Sequence, residues 1–180
     1  TVAVVELAEA FSMLEDRPAR SIIFLAVSGE ESGLWGSRYF AEHPVVPLEQ
    51  IVANLNADMI SRNATDSIVV IGKEHSDLGE TMNRVSQEHP ELNLTAADDI
   101  WPEENFYRRS DHFNFARRGV PILFFFCGTT EDYHQPSDEV SKMDISKATR
   151  TTKLLFHLGM AVADHPERPQ WNPESRAEIV

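Results

Sequence analysis

An uninterrupted apolar run, Ile22 to Val27, is followed closely by two adjacent acids, Glu30 and Glu31. A run without polar alternation is typical of a strand that is buried on both faces of a sheet. Carboxylates beside a hydrophobic core are costly unless a positive charge compensates them. The sequence therefore predicts a buried strand whose end presents two carboxylates to a cation.

Strand-like runs alternate with amphipathic helical segments along the 180-residue chain. This alternation predicts one domain with a largely parallel sheet covered by helices on both faces. The predicted strands are residues 21–27, 51–57, 67–71, 92–96 and 121–126. The predicted helices are residues 2–14, 34–43, 78–88, 111–118 and 144–164, and residues 166–180 are predicted to form a polar tail on the surface.

Composition and charge exclude some classes of partner. The formal net charge is −13 and the lysines and arginines are scattered, which argues against a nucleic-acid-binding surface. No apolar run approaches the length of a transmembrane helix, so no membrane partner is predicted. Cys127 is the single cysteine, so no disulfide forms within the chain and the redox compartment stays open.

Other candidate metal ligands also follow apolar runs. Asp58 comes directly after one predicted strand, and Tyr133 and His134 lie in the loop after the last one. Because sites of parallel sheets form beyond the carboxyl ends of the strands, we expect these side chains to lie near Glu30 and Glu31. Carboxylates and imidazole are ligands that zinc accepts. The sequence therefore predicts a zinc hydrolase site at one edge of the sheet.

An adjacent pair of acids suits a division of roles. One acid binds the metal, while its neighbour accepts a proton from water activated by the metal. Tyr133 is a candidate for polarising a substrate carbonyl or holding a tetrahedral intermediate. A ligating imidazole usually donates its second N–H to a carboxylate, and for His134 both Asp132 and Asp138 are candidates.

Four motifs occur in the order found in metallopeptidase family 28, the dizinc aminopeptidases, which the chain resembles from Thr1 to Asp164. The motifs are Gly29 to Ser37 (GEESGLWGS), Asn54 to Met59 (NLNADM), Ser110 to His112 (SDH) and Tyr133 to Asp138 (YHQPSD). The resemblance implies a three-layer α/β/α sandwich with a mostly parallel mixed sheet. Residues 1–165 would be the C-terminal portion of the catalytic domain. It also implies a peptide substrate and Zn²⁺ as cofactor, with two ions in the full-length protein. It implies a secreted or periplasmic location, and it leaves the oligomeric state open.

The resemblance assigns roles residue by residue. Glu30 matches the general base, and Glu31 and His134 match ligands of one zinc ion. Asp58 matches a ligand of the other zinc ion. Asp111 belongs to a motif near the site and is assigned a supporting role beside the ligands, as is Asp138.

The chain departs from the family pattern at its start. Family members carry a His, and later an Asp that bridges both zinc ions, ahead of a helix like that of residues 2–14. Neither residue is in this chain, which is therefore expected to begin in mid-domain. Whether this chain alone holds metal or is active is left open.

Several alternatives remain open on the sequence. Carboxypeptidases and glutaminyl cyclases share the architecture, and Arg108 and Arg109 are candidates for gripping a terminal carboxylate. A truncated or binding domain without activity is a third reading. A serine hydrolase is disfavoured, because Glu occupies the centre of residues 29–33 and because residues 110–112 are contiguous, which a catalytic triad rarely is.

The remaining histidines and the aromatic residues receive structural interpretations. His112 is interpreted as a packing or hydrogen-bonding residue. Trp101, Phe106 and Tyr107 are hypothesised to wall a pocket for an apolar side chain. The other histidines are interpreted as surface or helix-end residues, with none assigned to metal: His43, His75, His89, His157 and His165.

Overall fold

The structure is a computed structural model that describes residues 1–180, and its centre is a four-stranded sheet. The strands are β1 (Asn54–Ala57), β2 (Ser67–Ile71), β3 (Thr95–Ala97) and β4 (Ile122–Phe126). Their order in the sheet is β1–β4–β2–β3, with β1 parallel to β4, β2 parallel to β3, and β2 antiparallel to β4. The predicted α/β class with a mixed sheet is confirmed.

Helices cover both faces of this sheet. They are α1 (Val2–Ser12), α2 (Trp35–Glu42), α3 (Leu78–Glu88), α4 (Phe113–Ala116), α5 (Ile145–Asp164) and α6 (Pro173–Ile179). On one face α5 packs against α1 and α3, and on the other face α4 packs against α2 and β4. The result is the three-layer arrangement that the alternating sequence pattern predicts.

Strand β4 is entirely apolar, and β2 is apolar after Ser67, because the alternate side chains of each strand enter two separate cores. In β4, Leu123 and Phe125 join the core beneath α3 and α5, and Phe124 and Phe126 join the core beneath α4. β2 divides its side chains in the same way. Burial on both faces is what a continuous hydrophobic run in a strand encodes.

The predicted strand at residues 21–27 is wrong. This segment is not a strand of the sheet, and a groove of about 710 Å³ lies between it and the free edge of β1. Contacts with α5 and α1 hold it instead. Arg20 N–H, just before the segment, donates to Ala163 O at 3.1 Å, and Phe24 in its middle packs on Phe11 with ring centroids 5.7 Å apart. A strand needs a hydrogen-bonded neighbour, and apolar composition alone does not supply one.

The C-terminal tail carries structure that the sequence prediction left out. Asn172 caps α6 by accepting a hydrogen bond from Glu174 N–H at 2.9 Å. Ile179 of this helix is 8% exposed and joins the core beneath α4. Among all the helices, none combines the length and the apolar character that crossing a membrane requires.

Candidate metal centre

One cavity of about 180 Å³ gathers most of the predicted site residues beyond the carboxyl ends of β1 and β4. Six predicted residues line it, although they come from three separate loops: Glu30, Glu31, Asp58, Tyr133, His134 and Asp138. Its other walls are Met59, Phe106, Arg109, Ser110, Phe124 and Phe126. Asp111, which is predicted to support the ligands, lies outside this lining, in the adjoining groove.

The pairing of β1 with β4 places Asp58. Asp58 N–H donates to Phe125 O at 3.2 Å, and Cys127 N–H donates to Met59 O at 2.9 Å, so the two strands stay in register past their ends. Met59 has φ = 57°, in the left-handed region. Such a conformation in a residue other than glycine turns the chain sharply and is common at functional sites.

The Glu30–Glu31 loop is held by the first turn of α2. Gly36 N–H donates to Ser28 O at 2.9 Å, and Trp35 N–H donates to Gly29 O at 3.1 Å. A Cβ atom at Gly36 would lie 2.5 Å from Ser28 O, so only glycine permits this approach. The backbone that carries Glu30 is thereby fixed against a helix.

Glu31 and His134 meet across the cavity. His134 Nε2 lies 2.9 Å from Glu31 Oε1, and the imidazole stacks on the Tyr133 ring with centroids 3.9 Å apart. His134 has φ = 59°, so its backbone is also in the left-handed region. The structure therefore brings together an imidazole nitrogen and a carboxylate oxygen that the resemblance assigns to one zinc ion.

A buried polar chain orients the Asp58 carboxylate. Ser110 Oγ donates to Asp58 Oδ2 at 2.9 Å, and Asn56 Nδ2 donates to Ser110 Oγ at 3.1 Å. Asn56 Nδ2 also lies 3.3 Å from His112 Nδ1, while His112 Nε2 lies 2.7 Å from Tyr107 O. Because the carbonyl can only accept, His112 carries its proton on Nε2 and its Nδ1 accepts from Asn56.

His112 is consequently a structural residue, as interpreted from the sequence. It is fully buried, both ring nitrogens are engaged, and burial lowers its pKa to about 3. Asn56 and Ser110 were not predicted as site residues. Their signal was available, because both are polar and lie inside the NLNADM and SDH motifs, but neither is a type that binds zinc.

Crowded carboxylates set the protonation of the site. Burial, followed by the negative charges of Asp58, Glu31 and Asp111, raises the pKa of Glu30 to about 7, against a smaller opposing effect of His134. Burial also raises the pKa of Asp111, whose Oδ1 is buried without a hydrogen-bond partner. A cation would relieve this repulsion, and a carboxylate that titrates near neutrality suits a general base.

The two acids proposed as partners of His134 bind Arg62 instead. Asp132 accepts from Arg62 Nη2 at 2.7 Å, and Asp138 accepts from Arg62 Nη1. Lys142 Nζ donates to Asp132 at 2.5 Å, and these hydrogen bonds hold the pKa of Asp132 well below its usual range. Arg62 thus links two acids of the loop that carries His134. The supporting role of Asp138 stays a prediction.

The arginines and the aromatic residues separate into those in the cavity and those outside it. Arg109 lines the cavity and lies over the Phe106 ring at 4.6 Å, whereas Arg108 pairs with Glu178 at 3.5 Å outside it. Phe106 is the member of the proposed aromatic wall that faces the cavity. Trp101 packs behind it, with ring centroids 5.8 Å apart, and Tyr107 is buried in the core.

The donor set fits zinc in part. Glu31 and His134 supply the oxygen and nitrogen donors that zinc prefers, already close enough to share one ion. Asp58 lines the same cavity but does not form a three-ligand cluster with them within 4.8 Å. This arrangement agrees with the expectation that Asp58 serves a separate ion, although the roles of all these residues stay predictions.

Comparison with known proteins identifies the family of this chain. The fold is a mixed sheet between two layers of helices, with a cluster of acids and an imidazole beyond its strand ends. The sequence model of peptidase family M28 matches residues 1–159, and the chain belongs to this family.

Solved structures show the same fold at low sequence identity. An aminopeptidase from Aneurinibacillus sp. strain AM-1 superposes with a TM-score of 0.73 at 19% identity, covering 95% of this chain and 40% of the other. The Legionella pneumophila LapA aminopeptidase gives 0.75 at 20% identity over 92% of this chain and 45% of that one. The zinc aminopeptidase BSAP from Bacillus subtilis gives 0.74 at 18% identity, over 92% and 41%. The chain therefore spans less than half the length of these relatives.

Proposed function

We propose that the full-length protein is a zinc-dependent exopeptidase, an aminopeptidase that releases the N-terminal residue of a peptide. The observation that supports this most is the charge of the cavity. Four carboxylates line it against one guanidinium, that of Arg109. A surplus of negative charge attracts metal ions and the ammonium group of a peptide N-terminus.

The chain's own residues supply acid–base chemistry around the scissile bond. Glu30 accepts a proton from the attacking water and returns it to the leaving amine. The Tyr133 hydroxyl donates a hydrogen bond to the developing oxyanion. Glu31 and His134 would hold one zinc ion and Asp58 another, and bound zinc would supply Lewis-acid polarisation of the carbonyl and a lowered pKa of water.

Apolar side chains of the cavity accommodate the first residue of the substrate. Met59, Phe106, Phe124 and Phe126 form a wall beside the acids. Such a wall excludes water from the reacting groups and favours an apolar side chain at the N-terminal position. We therefore propose a preference for peptides that begin with an aliphatic or aromatic residue.

The test measures release of 4-nitroaniline from leucine 4-nitroanilide by the full-length protein. We expect activity that exhaustive chelation removes and zinc restores, and that Glu30→Gln lowers by at least a hundredfold. Glu139→Gln is the matched control, because Glu139 is exposed and its carboxylate contacts only Ser141. Activity that survives both chelation and Glu30→Gln would show that the proposal is wrong.

A carboxypeptidase is the second candidate, and the position of Arg109 is the observation that favours it. Arg109 lines the cavity and Arg108 does not, so the two neighbouring arginines form a matched pair. If the enzyme grips a terminal carboxylate, Arg109→Ala raises KM for peptides with a free C-terminus, and Arg108→Ala leaves it unchanged. Peptides blocked at either end decide between the two reactions directly.

The cellular location follows from the family resemblance alone. We propose that the protein is secreted or periplasmic, as many of its relatives are. Activity or antigen recovered with the cell-surface or culture fraction would support this location, and recovery with the cytoplasmic fraction would contradict it.

A further inference from the structure

A second group of metal-binding side chains lies between α3 and α5. The group consists of His89, Glu91 and His157, whose candidate ligand atoms all lie within 4.8 Å of one another. None of these residues lines the cavity that holds Glu30 and Asp58. We propose that this cluster is a second zinc site, which fastens the end of α3 to the middle of α5.

The donor chemistry fits a divalent transition metal. His89 Nδ1 lies 2.9 Å from Glu91 Oε1, and the His89 and His157 rings stack with centroids 3.5 Å apart. Two histidines and one carboxylate form a donor set that zinc accepts, with a fourth position left for water. Tetrahedral zinc requires its donor atoms to lie about 3.4 Å apart, with each imidazole lone pair aimed at the ion. The His89 and His157 rings must therefore turn out of their stack to close this cluster around an ion.

The backbone around the cluster is already ordered. Glu91 lies in the turn Pro90–Leu92, which Pro90 stiffens at its first position. Arg150 of α5 donates from Nη1 to Asn93 O at 2.7 Å and from Nη2 to Thr65 O at 2.6 Å, which clamps this turn against the helix. Arg150 and His157 are two helical turns apart and share one face of α5. The backbone positions of the three ligands are therefore fixed before an ion binds.

Exposure allows an ion to enter. The Glu91 side chain is 63% exposed and that of His89 is 25% exposed. The site is thus at the surface, with one flexible carboxylate that can move onto the ion. Since it stands apart from the cavity, its failure would leave the proposed peptidase activity unaffected, and the reverse also holds.

The experiment counts zinc ions bound by the full-length protein in equilibrium dialysis and follows the thermal midpoint, Tm, with and without zinc. We expect Glu91→Gln, His89→Gln and His157→Gln each to bind one ion fewer per chain than the wild type at zinc concentrations that saturate the wild type. We also expect each variant to lose part of the zinc-induced rise in Tm. His165→Gln is the control, because His165 is exposed and its ring contacts only the backbone of Glu167.

Glu91→Gln keeps the experiment decisive if a histidine variant fails to fold, because Glu91 is exposed and its only side-chain contact is His89. The proposal stands if Glu91→Gln, with the metal-free Tm of the wild type, binds zinc at this site at least tenfold more weakly. Equal stoichiometry and equal affinity in wild type, Glu91→Gln and His89→Gln would overturn it.

Discussion

His134 and Glu31 are 103 residues apart in the chain, yet His134 Nε2 lies 2.9 Å from Glu31 Oε1. Both side chains are more than half exposed, with 52% and 71% of their surface accessible. An exposed pair of this kind contributes little to stability by itself. We expect a shared zinc ion, rather than the ion pair alone, to hold these two side chains in place, and a zinc-binding measurement tests this expectation.

Replacing either member of this pair should remove one zinc ion. We expect Glu31→Gln and His134→Gln to lower the zinc stoichiometry of the full-length protein by one. Each substitution removes one of the two ligands that this chain is predicted to give to that ion. The Glu91→Gln background excludes the α3–α5 cluster from the count. Glu42→Gln, an exposed acid on α2 that contacts Arg118, is the control. Unchanged stoichiometry in both variants would contradict the assignment.

Glu30 should make the metal-free protein less stable as the pH rises. Its pKa in the folded protein is about 7, above its ordinary value of 4.5, because burial and neighbouring acids disfavour the charged form. The folded state therefore binds more protons than the unfolded state between these pH values, so stability is highest below pH 4.5 for this group and falls through pH 7. Thermal unfolding across this range measures the effect.

The matched variant for this pH effect is Glu30→Gln, which keeps the shape and removes the titration. We expect its Tm to fall less than that of the wild type between pH 5 and pH 7.5 in the presence of a chelator. Glu139→Gln, an exposed acid, should follow the wild type. Identical pH profiles for all three proteins would show that Glu30 titrates normally.

Removing the Ser110 hydroxyl should weaken the site without unfolding the protein. Ser110→Ala takes away the donor that fixes Asp58 Oδ2, so the carboxylate is free to rotate away from the metal. Loss of such supporting hydrogen bonds costs about 10- to 100-fold in metal affinity or activity. Ser141→Ala is the control, since Ser141 is exposed and contacts only Glu139. Isothermal titration with zinc and the leucine 4-nitroanilide assay check this prediction, which an unaltered zinc affinity would contradict.

The sequence predicted the elements whose pattern is set by burial. The bounds predicted for β2 and α3 agree with the structure, and the apolar face of α5 is buried at Leu154, Leu155, Leu158 and Val162. The strand prediction for residues 21–27 was wrong because strand formation depends on a hydrogen-bonded neighbouring strand. A local apolar pattern carries no information about such a neighbour. The tail helix α6 was missed because its burial rests mainly on Ile179, too little to create a periodic signal.

The candidate site also has a part that the sequence predicted and a part that it did not. Glu31, Asp58 and His134 were predictable because each follows an apolar run and is a side chain that binds zinc. The hydrogen bonds from Asn56 and Arg62 were not, since amide and guanidinium groups are common at surfaces and their partners come from distant loops. His89 and His157 had no local pattern at all, because only the packing of α3 against α5 stacks them.

A methyl group at Gly36 should disturb the loop that carries Glu30. In Gly36→Ala the new Cβ atom would lie 2.5 Å from Ser28 O and 2.7 Å from Ser28 N, both backbone atoms that cannot rotate away. The loop must move off α2, which we expect to cost about 2 kcal/mol of unfolding free energy, an overpacking effect. For a domain of this size that lowers Tm by about 4–8 °C. The exposed Arg38 on the same helix supplies the control Arg38→Ala, which should leave Tm nearly unchanged. Because alanine favours a helix more than glycine does, a rise in Tm for Gly36→Ala would show that the loop is not held against α2.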